Sequence, residues 1–177
     1  MSAGNDNGEV VAKVRIGLRI VKRNEDGSEE VIFERGWVRD KYETKGSDPN
    51  VTADAFDTLM NNFINPVSVS GVYQLNVTGY AYDTNNNQYT LTNVSASYSN
   101  RTLTLQGSLT PSSNITIASL TWGLAMCLQP QYTPYAPNGV VCPITTSETI
   151  TSVNASLNAN TTYTFILTIS LSVPSSF

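Results

Sequence analysis

Hydrophobic and polar positions alternate from the first structured stretch onward. Ala12, Val14, Ile16, Leu18 and Ile20 interleave with Lys13, Arg15, Gly17 and Arg19. A period of two sends successive side chains to opposite faces, so the pattern predicts a half-buried strand. "NEDG" (Asn24 to Gly27) is turn chemistry, and a second strand is expected through Val31, Phe33 and Trp37. Basic residues on the first strand then face acidic ones on the second, each cross-strand pair contributing about 0.2–1 kcal/mol.

The period changes once. In "VTADAFDTLMNNFINP", Phe56, Leu59, Met60 and Phe63 recur at spacings of three and four, which gives one apolar helix face. Thr52 caps this helix, Asp54 and Asp57 sit near its positive N-terminal end, and Pro66 stops it. From Val67 onward the pattern is strand. Strands are expected near 72–82, 88–98, 101–109, 114–128, 139–144, 147–157 and 161–173, separated by turns such as "DTNNN", "PSSN" and "NAN". The last is the clearest: Tyr163, Phe165, Leu167, Ile169, Leu171 and Val173 share one face. Short strands at this spacing predict a mainly β fold, an antiparallel β-sandwich of jelly-roll-like or immunoglobulin-like topology, with an N-terminal β-hairpin and one short helix.

Composition changes the picture in one respect. Charged residues are 14% of the 177-residue chain, where about 25% is usual. They are also unevenly placed. Residues 1–57 carry nine of the ten Lys and Arg and twelve of the fourteen Asp and Glu; only Asp83, Arg101 and Glu148 follow. The expected organisation is therefore a charged hairpin and helix over 1–66, serving assembly or anchoring, and an Asn/Ser/Thr-rich sandwich over 67–177.

Charge and residue type exclude several functions. The net charge of −4 gives no overall pull toward nucleic acid. No apolar run approaches the ~18 residues of a membrane span. The opening "MSAGNDNGEVV" reads as neither a secretory signal nor a transit peptide. There is no histidine, which removes Ser–His–Asp and Cys–His nucleophile systems and the commonest transition-metal ligand. A carboxylate pair for glycoside hydrolysis would have to come from Asp83 and Glu148 or from the charged N-terminal part, and isolated acids on turns are more often surface groups. "DTNNNQ" offers oxygens at Asp83, Asn85 and Asn87 as a calcium loop does, but Gln88 replaces the sharp-turn glycine and Val94 the bidentate Glu, so it reads as a hairpin turn. Neither a catalytic site nor a cofactor or metal site is expected.

Three other features stand out. N-glycosylation sequons occur at Asn50, Asn76, Asn93, Asn100, Asn114, Asn154 and Asn160. With 18 asparagines in a Ser/Thr-rich chain several arise by chance, so their position in expected turns carries more weight than their number. Cys127 and Cys142 enclose 14 residues; a disulfide there would stabilise by about 3 kcal/mol, and two buried unpaired thiols fit the sequence equally. "QPQYTPYAPNG" (Gln129 to Gly139) is stiffened by proline and offers Tyr132 and Tyr135 as a protruding contact loop, the alternative being a plain connection.

Hydroxyl and amide side chains keep contact with water without titrating. Acid denaturation comes largely from native carboxylates that must take up protons, and residues 58–177 hold only Asp83 and Glu148. The expectation is an outward-facing β part suited to a harsh exterior, with sugar replacing charge as the solubilising coat.

The order of parts, "VAKVRIGLRIVKRNEDGSEEVIFERGWV", then "SDPNVTADAFDTLMNNFINP", then an Asn/Ser/Thr-rich sandwich, resembles virion structural proteins of viruses of hyperthermophilic archaea, of the capsid, penton and turret type. The resemblance covers the whole chain in composition and element order and matches no residue-level motif, so it transfers no functional residue. It implies jelly-roll subunits, a homo-oligomeric shell or spike with other virion proteins as partners, contact with the host surface, external glycosylation, a virion location and no enzymatic activity. Two other classes fit the sequence. One is a subunit of an extracellular or cell-surface filament or adhesion module, joined by donor-strand exchange through residues 10–21 or 161–173. The other is a carbohydrate-binding or hydrolytic β-sandwich, which requires aromatics on an exposed face.

Overall fold

The computed structural model describes residues 9–45, 73–128 and 144–172. Among them are ten strands and no helix: β1 (Glu9–Arg23), β2 (Glu29–Lys45), β3 (Tyr73–Asp83), β4 (Gln88–Thr90), β5 (Thr92–Ser99), β6 (Thr102–Leu109), β7 (Ile115–Leu128), β8 (Ile144–Ile150), β9 (Ala155–Leu157) and β10 (Tyr163–Ser172). The helix expected over 52–65, the Tyr132/Tyr135 loop, Asn50 and most of the strand expected at 139–144 lie outside the described residues.

The strands form two antiparallel sheets. The first, sheet A, has the order β2-β1-β10-β6-β5; the second, sheet B, has the order β4-β3-β7-β8, with β9 also on β7. One apolar core joins them. Ile16, Leu18 and Ile20 of β1, Leu103 and Leu105 of β6, and Tyr163, Phe165 and Leu167 of β10 meet Ile117, Leu120, Trp122 and Leu124 of β7 and Leu157 of β9. Within β1, β6 and β10 these residues sit at alternate positions, because one face of each strand is turned to the core.

In a jelly roll, successive strands mostly alternate between sheets. Here β1 and β2, β3 and β4, β5 and β6, and β7 and β8 each stay within one sheet, so the pairing does not show the alternation of the expected jelly roll; it shows a mainly β chain of two antiparallel sheets.

The hairpin is built into the sandwich, so the boundary expected at 66/67 does not separate two cores. β1 pairs with β10 from Lys13↔Ser172 to Lys22↔Tyr163. On its other side β1 pairs with β2, in a register that sets Arg19 opposite Glu34, Lys22 opposite Glu30 and Arg23 opposite Glu29. The two compositions of the sequence are thus one sandwich with a charged flank along β1 and β2.

Two expected strands are each broken in two. The strand expected at 88–98 changes sheets at Leu91, which is buried and whose N–H donates to the Gly79 carbonyl at 2.8 Å. The strand expected at 147–157 is interrupted between Ile150 and Ala155. There Ser152 and Asn154 take φ of 58° and 55°, and the Val153 N–H returns to the Ala118 carbonyl at 2.9 Å.

Candidate functional site

Asp83 is the one buried acid among the described residues, 7% exposed at the end of β3. The turn to β4 is folded around it. Its Oδ1 accepts the N–H groups of Asn85 (2.9 Å) and Asn87 (2.8 Å); its Oδ2 accepts the Asn87 amide (3.0 Å) and the Tyr89 hydroxyl (2.9 Å). A carboxylate holding four donors has no lone pair left for a cation or a catalytic proton. Asn85 and Asn87 present N–H groups to it, the reverse of what a calcium loop needs. The hairpin-turn reading of "DTNNNQ" agrees with this geometry, and no cluster of metal ligands occurs among the described residues.

The Asn87 amide does most to hold the Asp83 carboxyl below its ordinary pKa, with the Asn87 N–H, Tyr89 hydroxyl and Asn85 N–H adding to it against the opposing effect of burial. The same contact, with burial, raises the Tyr89 phenol. Asp26, bonded to the Ser28 hydroxyl and N–H at 2.6 and 2.8 Å, is likewise lowered. A depressed folded-state pKa gives stability that is complete above the unfolded-state value and is lost as pH falls through the folded one. We therefore expect the contribution of Asp83 and Asp26 to the unfolding free energy to stay level down to the ordinary carboxylate range and to fall only below it. Asp83→Asn should be less stable than wild type at pH 7, and the two should converge toward pH 2. Denaturant melts across pH 2–7 check this; a gap that persists at pH 2 would assign the effect to something other than the Asp83 charge.

The second polar feature is a seam between the sheets. Arg35 of β2 reaches across the open side of the sandwich to the break between β8 and β9. Its two terminal nitrogens donate to the carbonyls of Ser152 (2.7 Å) and Thr151 (2.8 Å). Its guanidinium also lies 5.1 Å from the Trp37 ring centre and 5.7 Å from that of Phe33. The register explains the placement: Trp37, Arg35 and Phe33 sit opposite the core residues Ile16, Leu18 and Ile20, on the inward face of an edge strand. We expect Arg35→Ala to cost about 2 kcal/mol, from two charge-assisted hydrogen bonds and the ring contacts at a partly exposed site. Arg35→Lys should recover less than half of this in thermal melts, because an ammonium cannot make the forked, stacked contact.

The sequons divide into two groups. Asn93, Asn100, Asn154 and Asn160 are exposed and have φ of 51°, 51°, 55° and 59°. Asparagine tolerates this left-handed region better than most residues, so the backbone supplies its own reason for the residue type. The other described pair is engaged. Asn76 is half-buried on β3, and its amide donates to Cys127 Sγ at 3.3 Å; Asn114 is exposed, but its Oδ1 accepts the Ala159 N–H at 2.9 Å. Cys127 is fully buried and disulfide-bonded, and Cys142, outside the described residues, is the only other cysteine in the chain.

Sequence reasoning missed Arg35, because nothing in "FERGWV" says that the strand will be an edge facing a break in the other sheet. The aromatics it could not place are now placed. Trp122 and Tyr163 are buried in the core, Trp37 is half-buried beside Arg35, and Tyr80 and Tyr82 are half-buried on the outer face of sheet B. No family model, curated protein or solved structure matches this chain.

Proposed function

We propose that the chain is a structural subunit of a virus particle, a capsid, vertex or turret component, that assembles with copies of itself and turns a largely uncharged surface outward. One observation carries the reading: the charge is gathered on one flank of a single sandwich. β1 and β2 hold almost all charged residues of the described chain, while β3 to β10 hold only Asp83, Arg101 and Glu148. The sole buried acid among these is satisfied internally. Serine, threonine and asparagine solvate the rest, which suits a surface exposed to acid or heat. The charged flank, with opposite signs facing across β1 and β2, is the part suited to companions, since complementary charge fixes register and excludes wrong partners. The disulfide at Cys127 fits an oxidising surface, or the interior of a hyperthermophilic cell. No catalytic role belongs to this reading.

The test is the native mass of the full chain by sedimentation at low and high salt. A multimer that loosens as salt rises supports assembly through the charged flank, because exposed charges are screened within about 3 Å at 1 M salt. A monomer under all conditions would remove the proposal.

A cell-surface filament subunit is the second reading. It is favoured by the β1–β10 pairing, since the two segments either of which suits donor-strand exchange sit side by side in a ten-position register. Donor-strand exchange would make the same pairing between copies. For a carbohydrate-binding module Tyr80 and Tyr82 are the candidate platform among the described residues, and a glycan screen decides that.

A further inference from the structure

An open sheet edge presents unpaired N–H and C=O groups and invites another strand. Proteins usually blunt such edges with lysine, other charges, proline or bulges. β5, one edge of sheet A, reads TNVSASYS and carries neither charge nor proline. β8 and β9, an edge of sheet B, read ITTSETI and ASL. Their one acid, Glu148, is opposite core residue Trp122 and so lies on the inward side of the sheet. Among the described residues these edge strands therefore carry no outward-pointing charge, and Glu148 is their single inward-pointing one.

Three of the five exposed sequons among the described residues are on these same edges. Asn93 lies at the register shift between Thr92 and Ser95, at one end of β5. Asn100 lies in the two-residue turn at its other end, where Asn100 and Arg101 both have positive φ. Asn154 lies in the break between β8 and β9. Each is a place where the ladder is already interrupted, so a bulky group displaces no hydrogen bond of the sheet. By contrast Asn76 is inside sheet B, paired with Ala125, and its amide is held by the sulfur of Cys127.

We propose that N-linked sugars on Asn93, Asn100 and Asn154 guard these two sheet edges, in place of the outward-pointing charged side chains that the described strands lack. The proposal deepens the reading of an externally glycosylated subunit and rests on it: the sugar coat is placed at the strands most open to mispairing. A hydrated oligosaccharide at either end of an eight-residue strand stands in the way of a second backbone approaching that edge.

The test begins with glycopeptide mapping of the full chain from a host that modifies sequons. Sugar is expected on Asn93, Asn100 and Asn154, and none on Asn76. The combined variant Ser95→Ala, Thr102→Ala, Ser156→Ala then removes the acceptor motifs while leaving each asparagine in its left-handed turn. Unchanged circular dichroism would show that the variant folds, and light scattering at matched concentration is expected to rise about tenfold as bare edges pair. Enzymatic removal of the sugars from the folded wild-type protein should give the same rise with no substitution at all. Three bare asparagines, sugar on Asn76, or unchanged scattering after deglycosylation would each overturn the proposal. A monomeric native mass, by contrast, would count against the virion subunit and leave the edge guard standing.

Discussion

Replacing Trp122 by alanine is expected to destabilise the protein by about 3–5 kcal/mol, while phenylalanine at the same position should cost only about 1. Trp122 is 1% exposed at the centre of β7, and the core is built around its ring. On the neighbouring strand Gly79 makes room for it: a Cβ there would lie 2.9 Å from Cζ3 of the indole and 3.0 Å from Leu91 Cδ1. Leu91 is where the chain changes sheets, so ring, glycine and crossover form one packed unit. Alanine leaves a cavity that this unit cannot close without moving the crossover. Among the described residues the indole N–H has no hydrogen-bond partner, so phenylalanine gives up some volume and no polar contact with them. Thermal melts separate the two: roughly 10 °C or more for alanine against a few degrees for phenylalanine. Equal losses would mean that the indole N–H is satisfied after all.

Reduction of the disulfide has the next largest expected effect. Cys127 lies on the face of sheet B turned away from the core, yet it is fully buried. A bridge to Cys142 closes a loop of 14 intervening residues, which the chain-entropy account values at about 3 kcal/mol. Complete reduction, or Cys127→Ala, should lower the melting temperature by roughly 6–12 °C. Because the sulfur is buried, reductant should act on the folded protein only slowly and quickly once denaturant is added. A melting temperature indifferent to reduction would show that the bridge closes no constraint of consequence.

Most of the strands were legible in the sequence because alternation is a local signal. Ile16, Leu18 and Ile20, and Tyr163, Phe165 and Leu167, are buried as their period predicts. The missed breaks were also written there, as changes of phase. Core-facing positions run Tyr89, Leu91, then Val94, Ala96 and Tyr98, of which Leu91 is buried and the others half-buried; they run Ile150, then Val153, Ala155 and Leu157. In each case the odd–even phase flips where the strand bends or changes sheet. β7 shows the same flip between Ile117 and Leu120, beside the register shift at Tyr82 and Asp83. A one-residue slip of phase is the mark of a bulge, since otherwise the apolar set would turn to solvent.

What the sequence did not show is pairing over distance. Nothing local says that the last strand lies between the first and β6, or that the charged hairpin is sheet rather than appendage. The step in charge at residue 57 suggested a boundary; the hydrogen bonding shows a flank of the same sandwich. The sequons were plain as motifs. Their division into exposed turn asparagines and engaged ones depends on backbone dihedrals and on partners up to 51 residues away, such as Asn76 and Cys127.

On the proposed function, this sandwich joins companions through its charged flank and shows its uncharged remainder to the exterior. Electron microscopy of the assembly in its native setting tests that directly. The account predicts a repeating array in which β1 and β2 lie at or near subunit contacts and sugar density projects outward beside β5 and the β8–β9 break. A lone, sugar-free monomer, or an array with β1 and β2 facing solvent and the other strands buried between copies, would contradict it.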